Sequence, residues 1–137
     1  MSIRHWAEDL IGCPWVAGAE GPDQFNCWGL VRYVQREHYG IEVRAVSVDD
    51  VSHSAVLREF RHNDERSNWL PVDIPQDGDL VEMGSARQPH HIGVWLDVDH
   101  GGVLHCIEGH GVAFQSLAQL KLHGWGALHI SRHRSKT

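Results

Sequence analysis

The chain has 137 residues, with 18 acidic against 12 basic side chains and a net charge of −6 when its histidines are neutral. This length fits a single domain spanning 1–137 that buries enough apolar surface to fold without a metal or a disulfide. The negative charge argues against a nucleic-acid partner, because phosphate contacts need clustered Lys and Arg, and the apolar runs are too short to span a membrane. The only basic stretch, 132–136, is expected to be a solvated terminus.

The start of the chain and its cysteines indicate a compartment. Charged residues occupy the place where a signal peptide would carry its apolar core, so we expect synthesis in the cytosol without export by the ordinary route. The three cysteines, Cys13, Cys27 and Cys106, are an odd number and do not indicate a disulfide framework. They fit one reactive thiol and two small buried side chains.

Helical patterns come first along the chain. A first helix is predicted to begin after Ser2, a capping residue, and a loop containing Gly and Pro is predicted over 15–26. A second helix is predicted over 27–38, with Asn26 as its N-cap and Gly40 as its stop.

The second half of the chain changes to another pattern. Residues 41–48 look extended, and a third helix is predicted over 51–67. From there the hydrophobic period becomes two, which indicates strands. These strands are predicted over 80–83, 91–96, 103–107, 111–114 and 126–130, with a hairpin turn at 99–102. Helices followed by an antiparallel sheet indicate an α+β fold.

Cys27 is the candidate nucleophile. It follows the predicted cap directly and so occupies the first turn of the second helix. Backbone N–H groups are unpaired there and the helix dipole is positive, which favours a thiolate. A thiolate is the form of cysteine that attacks peptide and thioester carbonyls.

Two histidines on neighbouring predicted strands suit such a nucleophile, which needs a proton acceptor. His91 opens the strand 91–96, and side-chain direction allows His105 on the return strand to share its face. We predict His91 as the base and His105 as the residue that orients it. His90 would face the opposite side, so it is the alternative base if the register differs.

The motifs together resemble those of the NlpC/P60 cysteine peptidases. Residues 25–31 (FNCWGLV) resemble the nucleophile motif of the family, specifically of its phage-tail branch. Residues 89–96 are similar to the family's His-(Val/Ile)-Gly-(Ile/Val) base motif, and 103–106 to the segment that carries the third polar residue. Residues 12–18 and 77–81 also resemble family segments, in the same order along the chain.

The resemblance implies a papain-like α+β fold in which N-terminal helices pack on an antiparallel sheet. It implies hydrolysis of peptide bonds in peptidoglycan stem peptides, with Cys27 as nucleophile, His91 as base and His105 as orienting residue, and with no cofactor or metal. It further implies a phage tail-tip component that contacts other tail-tip proteins, is made in the host cytoplasm and acts at the bacterial cell wall.

Two positions beside the nucleophile depart from the family pattern. Asn26 stands where the family usually has Asp, although both residues cap helices. Trp15 stands where a Tyr hydroxyl often helps to stabilise the oxyanion, and an indole N–H donates with a different geometry. We predict Trp15, Asn26 and Trp28 as substrate-binding residues, with simple core packing as the alternative for Trp28.

Three other functions stay open. A zinc site would use Cys27, His91, His105 and Cys106, but no Cys-x-x-Cys pair or helical His-x-x-x-His pair accompanies them. A structural tail-tip protein with weak or lost hydrolase activity is favoured by the two departures. An acyltransferase or amidase would use the same nucleophile and base.

Overall fold

The computed structural model describes residues 5–43, 67–88 and 90–136. Within these ranges the chain begins with a 3-10 turn and one long helix, and continues mainly as strands. The elements are the 3-10 turn Trp6–Asp9, α1 Cys27–Tyr39, β1 Trp69–Pro71, β2 Leu80–Gly84, β3 His91–Leu96, β4 Gly102–Ile107, β5 Gly111–Gln115, α2 Leu117–Leu122, β6 Gly126–His133 and the 3-10 turn Arg134–Lys136.

The strands form one antiparallel sheet in the order β1-β6-β2-β3-β4-β5. Helix α1 packs against β3 and β4 near the middle of this sheet. This arrangement confirms the predicted α+β class with an N-terminal helix on an antiparallel sheet. All five predicted strands are present, whereas β1 and α2 were not predicted.

Helix α1 has the two ends that the sequence predicts. The side-chain oxygen of Asn26 accepts from the backbone N–H of Gly29 at 2.6 Å, which satisfies one of the unpaired donors of the first turn. Gly40 adopts a left-handed conformation with φ 67°, which ends the helix without a Cβ penalty. The apolar stripe of the helix is fully buried against the sheet and consists of Leu30, Val31 and Val34.

The β3–β4 hairpin sets the positions of the two histidines. Its turn contains three consecutive residues with positive φ, Asp99, His100 and Gly101, which reverse the chain tightly. The resulting register places Gly93 opposite His105. A Cβ atom at Gly93 would lie 2.6 Å from a methyl group of Val103, so the close approach of these strands requires glycine there.

The two faces of the sheet carry separate cores. The face toward α1 is the larger, and Ile92, Val94 and Leu104 belong to it. The opposite face packs against α2 and the turn that follows it, and its buried members are Val81, Met83, Trp95, Val103, Leu120 and Trp125. A capping box between Ser116 and Gln119 starts α2 and so fixes the segment that carries Trp125.

Two predictions about the ends of the chain need correction. The first helix is only the 3-10 turn Trp6–Asp9, capped by His5, and Ser2 lies outside the described residues. The basic tail is solvated only in part: residues 134–136 are exposed, whereas Arg132 makes a two-pronged ion pair with Asp79, at 3.0 and 2.9 Å. Asp79 is only 1% exposed, and a carboxylate so deeply buried needs a cationic partner.

Other expectations fall outside what the structure describes. The predicted helix over 51–67, apart from residue 67, and the extended segment beyond residue 43 are not among the described residues. Among those that are described, no helix is both long enough and apolar enough to cross a bilayer.

Candidate active site

Cys27 lies at the first turn of α1 and meets the start of β3. Its side chain is only 2% exposed. Three backbone N–H groups face the sulfur, those of Trp28, Cys27 and Ile92. The last of these belongs to the peptide that joins His91 to Ile92, so the thiol lies beside the point where the His91 side chain leaves the strand.

Burial dominates the electrostatics of this thiol. Removal from water raises the pKa of Cys27 to about 12, the neighbouring thiol of Cys106 adds to that rise, and the backbone N–H groups lower the pKa by less. The helix start by itself favours a thiolate. In this structure the desolvation of Cys27 is the larger effect, so a thiolate requires a base that removes the proton.

His91 and His105 form a buried pair. The Nε2 atom of His91 lies 2.9 Å from the Nδ1 atom of His105, and both side chains are fully buried. Both therefore lie on one face of the hairpin, as side-chain direction predicts, and His91 rather than His90 contacts His105. If His91 is the base, as predicted, its other ring nitrogen, Nδ1, is the atom that would exchange a proton with the thiol.

Trp125 covers this pair. Its indole ring stacks on the His91 imidazole at 4.6 Å between centroids and meets the His105 ring edge-on at 5.4 Å. The aromatic contact fixes the orientation of the His91 ring and excludes water from its hydrogen bond to His105. Trp125 also lines a cavity of about 840 Å³ on the α2 side of the sheet, together with Arg87, Glu108 and His123.

Gln115 and His123 extend the hydrogen bonds of the histidine pair, and neither residue was predicted from the sequence to lie in the site. His105 Nε2 lies 2.7 Å from the side-chain oxygen of Gln115, whose side-chain nitrogen lies 2.6 Å from His123 Nδ1. Burial lowers the pKa of His105 to about 4, and the contact with Gln115 opposes this only in part. The period-two pattern would have placed Gln115 on the His105 face, but the predicted strand ended at Phe114.

The three predicted substrate-binding residues have structural contacts of their own. The Asn26 oxygen caps α1, and Trp28 is only 4% exposed within the main core. Trp15 is half-buried and packs against that core, where its backbone bridges to Phe25. Their contact with substrate stays a prediction.

Metal ligation has no support from these positions. Among residues 5–43, 67–88 and 90–136, no group of three or more His, Cys, Asp or Glu side chains is arranged to hold a metal ion. Cys106 belongs to the core that faces α1, and its thiol contacts the backbone oxygen of Phe25 at 3.3 Å.

Comparisons with known proteins show the family and the fold of this chain. The family model described as the NlpC/P60 family matches residues 12–127. Among solved structures, the NlpC/p60 domain of the peptidoglycan hydrolase SagA superposes with a TM-score of 0.58 at 20% identity, over 91% of each chain. A comparison with curated protein sequences gives no match.

Two structures from Trichomonas vaginalis share the same fold. NlpC1 has a TM-score of 0.59 at 15% identity, and NlpC2 has 0.57 at 17%. Each match covers 93% of this chain but only 41% and 42%, respectively, of the Trichomonas chains. At identities this low, the superpositions show a shared fold alone.

Proposed function

This chain belongs to the NlpC/P60 family, and we propose that it is a cysteine endopeptidase that hydrolyses peptide bonds in peptidoglycan stem peptides. The observation that carries the proposal is the buried His91–His105 pair at 2.9 Å, next to the peptide that the Cys27 thiol contacts. The SagA domain of the same fold comes from a peptidoglycan hydrolase, which supports this substrate class.

The proposed mechanism gives each of the three residues one role. His91 removes the proton from Cys27, and the resulting thiolate attacks the substrate carbonyl carbon. The backbone N–H at the start of α1 stabilises the charge that develops on the carbonyl oxygen. His91 then gives its proton to the leaving amine, and water hydrolyses the thioester that remains on Cys27. His105 holds the His91 ring in position throughout.

We place this activity at a phage tail tip that aids penetration of the bacterial cell wall, among other tail-tip proteins. The support is the sequence of residues 25–31, which resembles the phage-tail branch of the family. The acidic balance of the chain fits a protein whose targets are peptides rather than nucleic acid.

A structural tail-tip protein with weak hydrolase activity is the second candidate. The observation in its favour is burial, because Cys27 is 2% exposed and His91 is fully buried. With both side chains enclosed in this way, the site would have to open before a substrate could reach the thiol. Under this candidate, opening occurs only when the protein is docked on the tail.

Digestion of purified stem peptides, read by mass spectrometry, tests the proposal. Wild type and Cys13→Ala should cleave the same bond, because Cys13 is only partly buried and its thiol contacts the backbone oxygen of Asp9 at 3.9 Å. Cys27→Ala should cleave nothing. Equal cleavage by wild type and Cys27→Ala would refute the mechanism, and no cleavage by wild type would favour the structural candidate.

A further inference from the structure

The hydrogen bonds from the candidate base continue for two more side chains and end near the surface. They run from His91 through His105 and Gln115 to His123, with separations of 2.9, 2.7 and 2.6 Å. The outer end is held by the fold, because His123 is the C-cap of α2 and its backbone N–H bonds to Gln119. The inner part is enclosed, since His91 and His105 are fully buried and Gln115 is 8% exposed.

The amide of Gln115 gives this series of hydrogen bonds a direction. An amide oxygen only accepts and an amide nitrogen only donates, whereas a neutral imidazole has one nitrogen of each kind. The Gln115 oxygen faces His105 Nε2, so that nitrogen carries the proton and His105 Nδ1 accepts. His91 Nε2 therefore donates to His105, and His91 Nδ1 is left as a proton acceptor.

The opposite direction would disable the base. If the amide were reversed, its nitrogen would donate to His105 Nε2 and the proton of His105 would move to Nδ1. His91 Nε2 would then accept, and its proton would sit on Nδ1, the atom that must take the thiol proton. The orientation of one amide thus decides which nitrogen of His91 is basic.

We propose that Gln115 is a positioning residue: its amide, held by His123, fixes the tautomer of His105 and thereby keeps Nδ1 of His91 able to accept the proton of Cys27. The proposal rests on the proposed function for its kinetic consequence, while the tautomer itself is a property of the folded chain. It extends the Cys–His–His set by two residues and assigns each ring nitrogen a role.

Two features of the site make this orientation effective. Burial keeps His105 neutral at physiological pH, so its ring holds one proton, on either Nδ1 or Nε2. Trp125 contacts both rings, which leaves little room for water to replace the Gln115 oxygen as acceptor.

Nitrogen-15 NMR of the labelled full-length chain tests the tautomer without reference to activity. Long-range proton–nitrogen spectra separate protonated from unprotonated ring nitrogens of histidine. In wild type the proton should be on Nε2 in both His91 and His105. In Gln115→Leu, which removes the acceptor, His105 should show the proton on Nδ1 or an average of both positions. A wild-type proton on His105 Nδ1, or an unchanged tautomer in Gln115→Leu, would overturn the proposal.

Stem-peptide kinetics at pH 8 test the consequence. Gln115→Leu should lower kcat by at least about 10-fold with KM changed less than about 3-fold, because the base and not substrate binding is affected. Gln115→Glu should recover most of kcat, since its carboxylate accepts from His105 in the same place. Unchanged kcat in Gln115→Leu, or equal losses in the Leu and Glu variants, would count against the proposal.

Gln35→Leu is the matched control. Gln35 is also buried, and its side chain donates to the backbone oxygen of Gly78 at 2.8 Å, about two turns along α1 from Cys27. This variant should lose stability but keep kcat within about 3-fold of wild type, and an equal loss of kcat would reduce the role of Gln115 to general packing. Absence of cleavage by wild type would contradict the proposed function alone, and the NMR result would then decide the tautomer assignment.

Discussion

Acid should destabilise the fold in part through His105. Its imidazole is fully buried, and burial lowers its pKa from an ordinary 6.5 to about 4. Between these two pH values the unfolded chain binds a proton at this position and the folded chain does not. The stabilisation is therefore complete above about pH 6.5 and is lost as the pH falls toward 4.

The size of the effect follows from the two pKa values. Each pKa unit corresponds to about 1.4 kcal/mol. A drop from 6.5 to about 4 therefore predicts that the free energy of unfolding falls by about 3 kcal/mol between pH 7.5 and pH 4, of which about 2 kcal/mol is lost by pH 5. This is a large share of the stability of an ordinary domain.

Urea unfolding of wild type and His105→Asn between pH 7.5 and pH 5 measures the contribution of His105 to the free energy of unfolding. Asn keeps a polar partner for His91 and does not titrate, and all other histidines are common to both proteins. As the pH falls over this range, the free energy of unfolding of wild type should decrease by about 2 kcal/mol relative to that of His105→Asn. Parallel pH dependences of the two proteins would contradict this prediction and mean that His105 takes up its proton in the folded state as easily as in the unfolded one.

Three further changes have expected outcomes. Gly93→Ala should lower the free energy of unfolding, measured in urea, by about 1–3 kcal/mol and reduce peptide cleavage, because the added Cβ overlaps the neighbouring strand. Its control is Gly126→Ala, which should cost under about 0.5 kcal/mol because no atom lies within 4 Å of the added Cβ. Asn26→Ala should lower the free energy of unfolding by about 1 kcal/mol through loss of the α1 cap, and Asn26→Asp should not. Arg132→Met should lower the free energy of unfolding by about 3 kcal/mol, because it leaves the buried carboxylate of Asp79 without its cationic partner. The double variant with Asp79→Leu should recover much of this loss. A further loss that adds to the first would contradict that explanation.

Local patterns predicted the elements that carry the site. The strand over 91–96 is observed with the predicted bounds, because apolar side chains alternate along it and turn residues follow it. Helix α1 follows from a cap, an apolar stripe and a glycine stop, and it ends one residue later than predicted. The predicted turn at 99–102 allowed His105 to share the face of His91 but left the register open, and the observed pairing of Gly93 with His105 decides it.

Interactions between distant segments could not be predicted in the same way. Helix α2 is six residues long, too short for a helical period to show in its sequence. Strand β1 is three residues long and depends on pairing with β6. The ion pair of Arg132 with Asp79 joins residues 53 positions apart, and nothing local to a basic tail reveals a buried carboxylate elsewhere.

The resting protonation state of the proposed nucleophile, Cys27, depends on whether burial or the helix N-terminus has the larger effect on its pKa. Burial and its neighbours raise the pKa of Cys27 from 9.0 to about 12, which corresponds to about 4 kcal/mol against the thiolate. A helix N-terminus contributes about 0.3–1 kcal/mol in ordinary cases and up to about 2 kcal/mol in favourable ones, so α1 alone does not hold the charge. The proton must pass to a neighbouring base at the moment of attack, and only a nitrogen without a proton accepts it. The tautomer of His91 is therefore as important to the proposed chemistry as the presence of the thiol, and the four residues from His91 to His123 provide a physical means of setting it.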